Sequence, residues 1–116
     1  MATLGMITID VQDERAAATW WREQLAAEYV GQYPGFTILS LPGTAVHLAF
    51  QQVAEPTSGK NRVHLDLESA ADRTSEIEQF VAAGATVLET HGGGEEFGWS
   101  VLRDPFGVIF CLSDPH

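Results

Sequence analysis

A single cysteine, Cys111, stands in the 116 residues. No disulfide can form within the chain, and without a Cys-x-x-Cys pair neither a structural zinc site nor a dithiol redox centre has support. Basic residues are also sparse, six Lys and Arg against sixteen Asp and Glu, for a formal charge of −10. Such a field repels the phosphate backbone of nucleic acids and the anionic surface of membranes, so neither is expected as a partner. The acidity serves solubility or draws cationic ligands. No apolar run reaches the roughly twenty residues of a membrane-spanning helix. Met1 to Asp10 carries neither the basic nor the apolar region of a secretory signal. The expected location is the cytoplasm.

What is present suits one folded domain over residues 1–116: hydrophobic residues make up 45%, with 11 Gly and 5 Pro as punctuation. From Leu4 to Val11 apolar and polar residues alternate, Ile7, Ile9 and Val11 against Met6, Thr8 and Asp10, the pattern of a half-buried strand. Asp13 is placed to cap a helix, with Glu14 in its first turn. Ala17, Trp21 and Leu25 then form a helical stripe to about Ala27, and Trp20 beside it suits a subunit contact. Short strands follow at 29–33, 36–41 and 45–51, the first two joined by a turn with Pro34 and Gly35 at its centre. Residues 52–61 read as a linker.

After the linker the plan repeats. Arg62 to Glu68 alternates, with Val63, Leu65 and Leu67 opposite His64, Asp66 and Glu68. Asp72 is placed as a second helix cap, Ile77, Phe80 and Val81 form a stripe, and Gly84 suits a left-handed terminator. Strands are expected at 85–90, 97–103 and 108–113, the last two joined by the turn Asp104-Pro105-Phe106-Gly107. Met6 falls 58 residues before His64, and Asp13 falls 59 before Asp72. The repeat predicts an α+β fold of two βαβββ modules, about 1–55 and about 60–116. Side by side they can bury both helical stripes against sheet faces.

The stretches Leu4-Gly5-Met6-Ile7-Thr8-Ile9-Asp10, His47-Leu48-Ala49-Phe50-Gln51, Asn61-Arg62-Val63-His64-Leu65-Asp66-Leu67 and Asp104-Pro105-Phe106-Gly107-Val108-Ile109-Phe110-Cys111-Leu112 carry a resemblance. In their order and spacing they resemble the glyoxalase/bleomycin-resistance/dioxygenase, or vicinal oxygen chelate, superfamily. The closer likeness is to its glyoxalase-like domain branch, over essentially the whole chain. The resemblance implies paired modules whose mixed sheets curl around a cavity with the helices outside, and a homodimer. It also implies, in the metal enzymes, a divalent ion held by His, Glu or Gln from both halves, which acts as a Lewis acid. Where those enzymes carry the first ligand this chain has Met6, a poor donor to a hard cation. His64 matches the second-half ligand, but the usual final-strand Glu falls at Cys111. The strand before the linker offers His47, Ala49 or Gln51 and no carboxylate.

Candidate ligand-binding residues are therefore His64, Asp66, His47, Trp99, Met6 and Cys111, with no metal or other cofactor and a neutral or cationic small molecule as partner. His64 suits a ligand hydrogen bond, general-base chemistry or metal binding, or a sheet histidine that merely finds hydrogen-bond partners. Asp66 and Glu68 share its side of the alternation. Trp99 suits either the core or a ligand-stacking position. Cys111, between apolar neighbours, is expected as a small buried hydrophobe. His91-Gly92-Gly93-Gly94 reads as a flexible loop, since the following Glu95 and Glu96 and the strand after them contradict a phosphate cradle. The alternative function is a metal-dependent lyase, isomerase or dioxygenase with a substituted ligand set, zinc held by His47, His64, Gln51 and Cys111 being the conceivable one.

Overall fold

The computed structural model describes residues 1, 4–59 and 63–115. The chain forms two compact units, Met1–Thr57 and Ser58–His116. The first runs β1 (Met6–Val11), α1 (Glu14–Leu25), β2 (Glu28–Tyr33), β3 (Phe36–Ser40) and β4 (His47–Gln52). The second runs β5 (Leu65–Glu68), α2 (Arg73–Ala82), β6 (Thr86–Gly93), β7 (Glu96–Arg103) and β8 (Ile109–Ser113). Each unit is thus strand, helix and three strands, and the α+β reading with two similar modules holds.

Both sheets have four strands in equivalent orders, β1-β4-β3-β2 and β5-β8-β7-β6. The first strand of each unit pairs parallel to the last, and the remaining pairs are antiparallel. The helix and the two strands after it make the long connection between the two parallel strands, the helix itself leading from one edge strand to the other. Even an irregularity repeats. The register slips between Tyr29 and Gly31 in β2, and between Val87 and Glu89 in β6, 58 residues on.

In the first unit the alternation of β1 is as expected, Met6, Thr8 and Asp10 exposed and Val11 buried. Helix α1 packs on β1, β3 and β4, where Ala17, Ala18 and Trp21 join Val11, Leu39, Leu48 and Phe50 in the core. Each large apolar side chain buried there contributes about 1.5–3 kcal/mol. Asp13 caps the helix, its Oδ1 accepting from the Ala16 N–H at 3.1 Å. Trp20 is not available as a subunit contact. It is buried within the chain, edge-on to Trp21 with ring centroids 5.0 Å apart. Gly35, at φ 73°, takes the left-handed second position of the expected turn.

In the second unit α2 packs on β6 and β8, with Phe80 edging Phe110 at 5.2 Å. Val81, expected on the buried stripe, is exposed. Gly84 ends the helix at φ 108°, and the Ala85 N–H reaches back to the Phe80 carbonyl at 2.9 Å, the closing bond of a Schellman turn. Asp72 occupies the cap position without a side-chain cap bond. Glu76 does that work from inside the helix, accepting from the Ser69 hydroxyl and from the Ala70 N–H at 3.1 Å. The turn at 104–107 forms as expected, the Asp104 carboxylate accepting from the N–H groups of Phe106 and Val108, each at 2.8 Å.

Two further expectations fail. The strand expected from Arg62 starts only at Leu65, which pairs with Phe110. Val63 and His64 precede it and are exposed, and Arg62 lies outside the described residues. The glycine segment is not a loop. His91, Gly92 and Gly93 belong to β6, and the hairpin turns only at Gly94 and Glu95.

Candidate functional site

Each sheet has one face under its helix and one face away from it, and the candidate residues sort by strand parity. In the first unit, Met6 of β1 sits in register with His47 of β4, and His47 with Ser40 of β3. This row faces away from α1, with Met6 exposed and His47 and Ser40 half-buried. Further along the same face come Thr8, Ala49 and Ile38, then Asp10, Gln51 and Phe36. The row therefore offers a thioether, an imidazole and a hydroxyl, and ends on β2 at Glu28, the cross-strand partner of Ser40.

In the second unit, Asp66 of β5 is in register with Cys111 of β8, and Cys111 with Val101 of β7. Phe110 and Leu112 take the helix side, so Cys111 must point the other way. It is half-buried rather than sealed in the core, correcting the expectation of a buried hydrophobe. Asp66 is exposed. The next row along this face holds Glu68, Ser113, Trp99 and His91. His64 stands one residue before β5 and is exposed, outside the sheet ladder on which the sequence placed it.

Trp99 is 38% exposed, so it belongs to the face and not the core. It stacks on His91, its cross-strand partner, with ring centroids 4.8 Å apart and planes 24° from parallel. The His91 imidazole also meets the Glu89 carboxylate at 3.0 Å, and Phe97 lies tilted beside Trp99 at 6.5 Å. The β6–β7 hairpin thus presents two stacked rings, a third aromatic and a carboxylate. Sequence reasoning missed His91 because the three glycines after it suggest a loop. The available signal was its alternation with Glu89 across Thr90.

Beneath the hairpin lies a polar network that the sequence did not announce. The Arg73 Nε donates to Asp114 Oδ1 at 2.7 Å, and Nη1 donates to the buried Ser100 hydroxyl at 2.8 Å. The other Asp114 oxygen accepts the Gly98 N–H at 2.7 Å. These bonds, with that of Arg73 foremost, hold the Asp114 carboxyl below its ordinary range. In the first unit the equivalent helix-start residue, Glu14, is buried and accepts from the Thr37 hydroxyl at 2.5 Å. Both modules therefore pin the first residue of the helix to a hydroxyl on the third strand.

A divalent cation needs several hard donors in one place. Among the described residues no three His, Cys, Asp or Glu side chains come together to hold one. Met6 adds only a soft thioether to His47. Also among the described residues, no helix is long and apolar enough to cross a membrane.

The family model for the glyoxalase-like domain matches residues 6–113. No curated protein matches the chain significantly. Solved structures of similar fold include a glyoxalase/bleomycin resistance protein/dioxygenase family enzyme from Burkholderia phytofirmans PsJN, 20% identical over 99% of this chain and 100% of that one, with a TM-score of 0.75. The fosfomycin resistance protein FosX from Listeria monocytogenes, complexed with Mn(II) and sulfate, is 14% identical over 100% and 92%, TM-score 0.79. TnmS3, an antibiotic binding protein from Streptomyces sp. CB03234, is 16% identical over 100% and 98%, TM-score 0.73. At these identities the likeness speaks for the fold alone. The match of the family model, running from the first residue of β1 to the last of β8, places this chain in the glyoxalase-like domain family.

Proposed function

We propose that the protein binds a neutral or cationic small molecule on the helix-free faces of its sheets, without a divalent metal, as a cytoplasmic homodimer. The observation that carries this reading is the composition of those faces. The second sheet offers stacked aromatic rings beside Glu68, Asp66 and Glu89, a combination that suits flat or positively charged groups. Trp99 supplies stacking area, Asp66 a charge partner, and His64 a hydrogen bond at the head of β5. Cys111 supplies a softer contact on this sheet, and Met6 and His47 supply theirs on the face of the first sheet. Similarity to an antibiotic binding protein agrees with capture of a ligand without chemistry.

The metal-dependent reading takes its support from the likeness to the Mn(II)-complexed FosX. Against it stand Met6 and Cys111, which replace oxygen or nitrogen donors of the usual set. Metal analysis of protein purified without chelator separates the two. The proposal expects substoichiometric metal that a His64→Ala variant leaves unchanged. Stoichiometric zinc, nickel, manganese or iron that this variant loses overturns it.

A further inference from the structure

Trp99 lies between two residues that are both tied down from the opposite side of the sheet. Its predecessor, Gly98, donates its backbone N–H to Asp114 Oδ2 at 2.7 Å, and its successor, Ser100, accepts from Arg73 Nη1 at 2.8 Å. The Asp114 N–H returns to the Gly98 carbonyl at 2.9 Å. Arg73 and Asp114 are joined at 2.7 Å, and the Arg73 side chain is only 10% exposed. Gly98 and Ser100 face the helix side of β7 while Trp99 faces away, so the ties hold the backbone on one flank of the indole and the serine hydroxyl on the other, and leave the ring to stack on His91.

Two glycines of the hairpin, Gly93 and Gly98, stand against the same guanidinium, and Gly98 also against the backbone N of Gly93. A Cβ on Gly98 would sit 2.6 Å from Arg73 Nη2, and one on Gly93 3.2 Å from the same atom. Gly93 and Gly98 flank the turn on opposite strands, so the absence of both side chains opens the space into which the guanidinium fits. Gly93, within the segment that the sequence suggests as a flexible loop, thus joins Gly98 in making a socket for Arg73, 20 residues before it at the start of α2.

We propose that Arg73 and Asp114 are positioning residues that hold Trp99 and His91 stacked for contact with a ligand. The proposal deepens the binding reading above and rests on it for the ligand, but not for the clamp itself. Arg73 joins helix start, hairpin and chain end through one planar fork, which lysine cannot reproduce with a single nitrogen.

The test is nuclear magnetic resonance of the whole protein without ligand, in wild type, Asp114→Asn, Arg73→Lys and Ser100→Ala. The expected result is loss of ring-to-ring cross-relaxation between His91 and Trp99 in the first two variants and its weakening in the third. The Trp20 and Trp21 indole signals stay unchanged as the control for folding of the first unit, and the Asp66–Cys111 pairing signals as that for the second. Intact His91–Trp99 cross-peaks in folded Asp114→Asn overturn the proposal. Should that variant fail to fold, intact cross-peaks of wild-type strength in Ser100→Ala overturn it instead. Bleomycin titration of the same samples separates the two readings. A lost stack with no binding by wild type removes the ligand reading and leaves the clamp, whereas an intact stack removes the clamp whatever binds.

Discussion

Glu14 illustrates how much a single residue conceals until the chain is folded. In the sequence it is an acidic residue in a first turn, suited to the helix dipole. In the structure it is buried and bonded to Thr37, 23 residues on. Burial of a carboxylate is costly unless its hydrogen bonds are met, so the hydroxyl matters more than its size suggests. Thr37→Val keeps the shape and removes the donor, and should lower stability in urea by about 1–3 kcal/mol. A second contrast concerns glycine. At Gly92, φ 64°, an added Cβ would lie 2.3 Å from the Phe97 carbonyl oxygen, whereas at Gly94, φ 66°, it meets open space. Gly94→Ala should cost only the left-handed strain of about 1–2 kcal/mol, and Gly92→Ala clearly more in the same denaturation assay. Cys111 and Trp20 depart from their sequence expectations for a related reason. Neighbouring residue types describe composition, while strand parity and helix packing decide exposure.

Helices and strands were legible to the extent that their periodicity was. The alternation of Ile7, Ile9 and Val11 identifies the buried side of β1 because one face must meet α1. Alternation does not say where pairing stops, so it extends β5 back to Arg62 although the ladder with β8 begins at Leu65 and Phe110. Likewise the sequence ends β6 at Thr90 and suggests a loop for its last residues, His91 to Gly93, because propensity cannot register the ladder that β7 supplies. The caps give an element-scale prediction. Asp13→Ala should cost about 1 kcal/mol through loss of its bond to Ala16. Asp72→Ala should cost less, since its side chain makes no cap bond.

At the second helix the cap also titrates. Burial pushes the Glu76 carboxyl up, but hydrogen bonds from the Ser69 hydroxyl and the N–H groups of Ala70, Ala71 and Asp72 together outweigh it and leave it below its ordinary 4.5. Asp114 is likewise held below its ordinary 3.8. In both cases the folded chain binds fewer protons than the unfolded one, so the stabilisation is present above the ordinary value and is lost as pH falls through the folded one. Urea midpoints should therefore drop on acidification below about pH 4.5. Glu76→Gln should start from a lower midpoint at neutral pH and fall less steeply over that window. An equal acid slope in the variant would show that the cap does not contribute.

On the scale of the whole molecule, the repeat was the most legible feature. It recurs not only in element order but in the slipped register of β2 and β6 and in the pinned first residue of each helix. The long-range ties of the second unit were illegible, since Arg73 and Asp114 stand 41 residues apart with no shared motif. The homodimer expectation is exposed to light scattering, where a species near 12.6 kDa would refute it. The charge of −10, sparse in cations from the outset, acquires a local meaning through Asp66, Glu68 and Glu89 on one sheet face. The central claim is metal-free binding of a neutral or cationic ligand on such a face. The direct measurement is calorimetric titration of chelator-treated protein with the cationic drug bleomycin. The account predicts saturable heat, unchanged by chelator and weakened by Asp66→Asn and Trp99→Ala. No heat at high micromolar concentration, or heat only after Mn(II) is added, would contradict it.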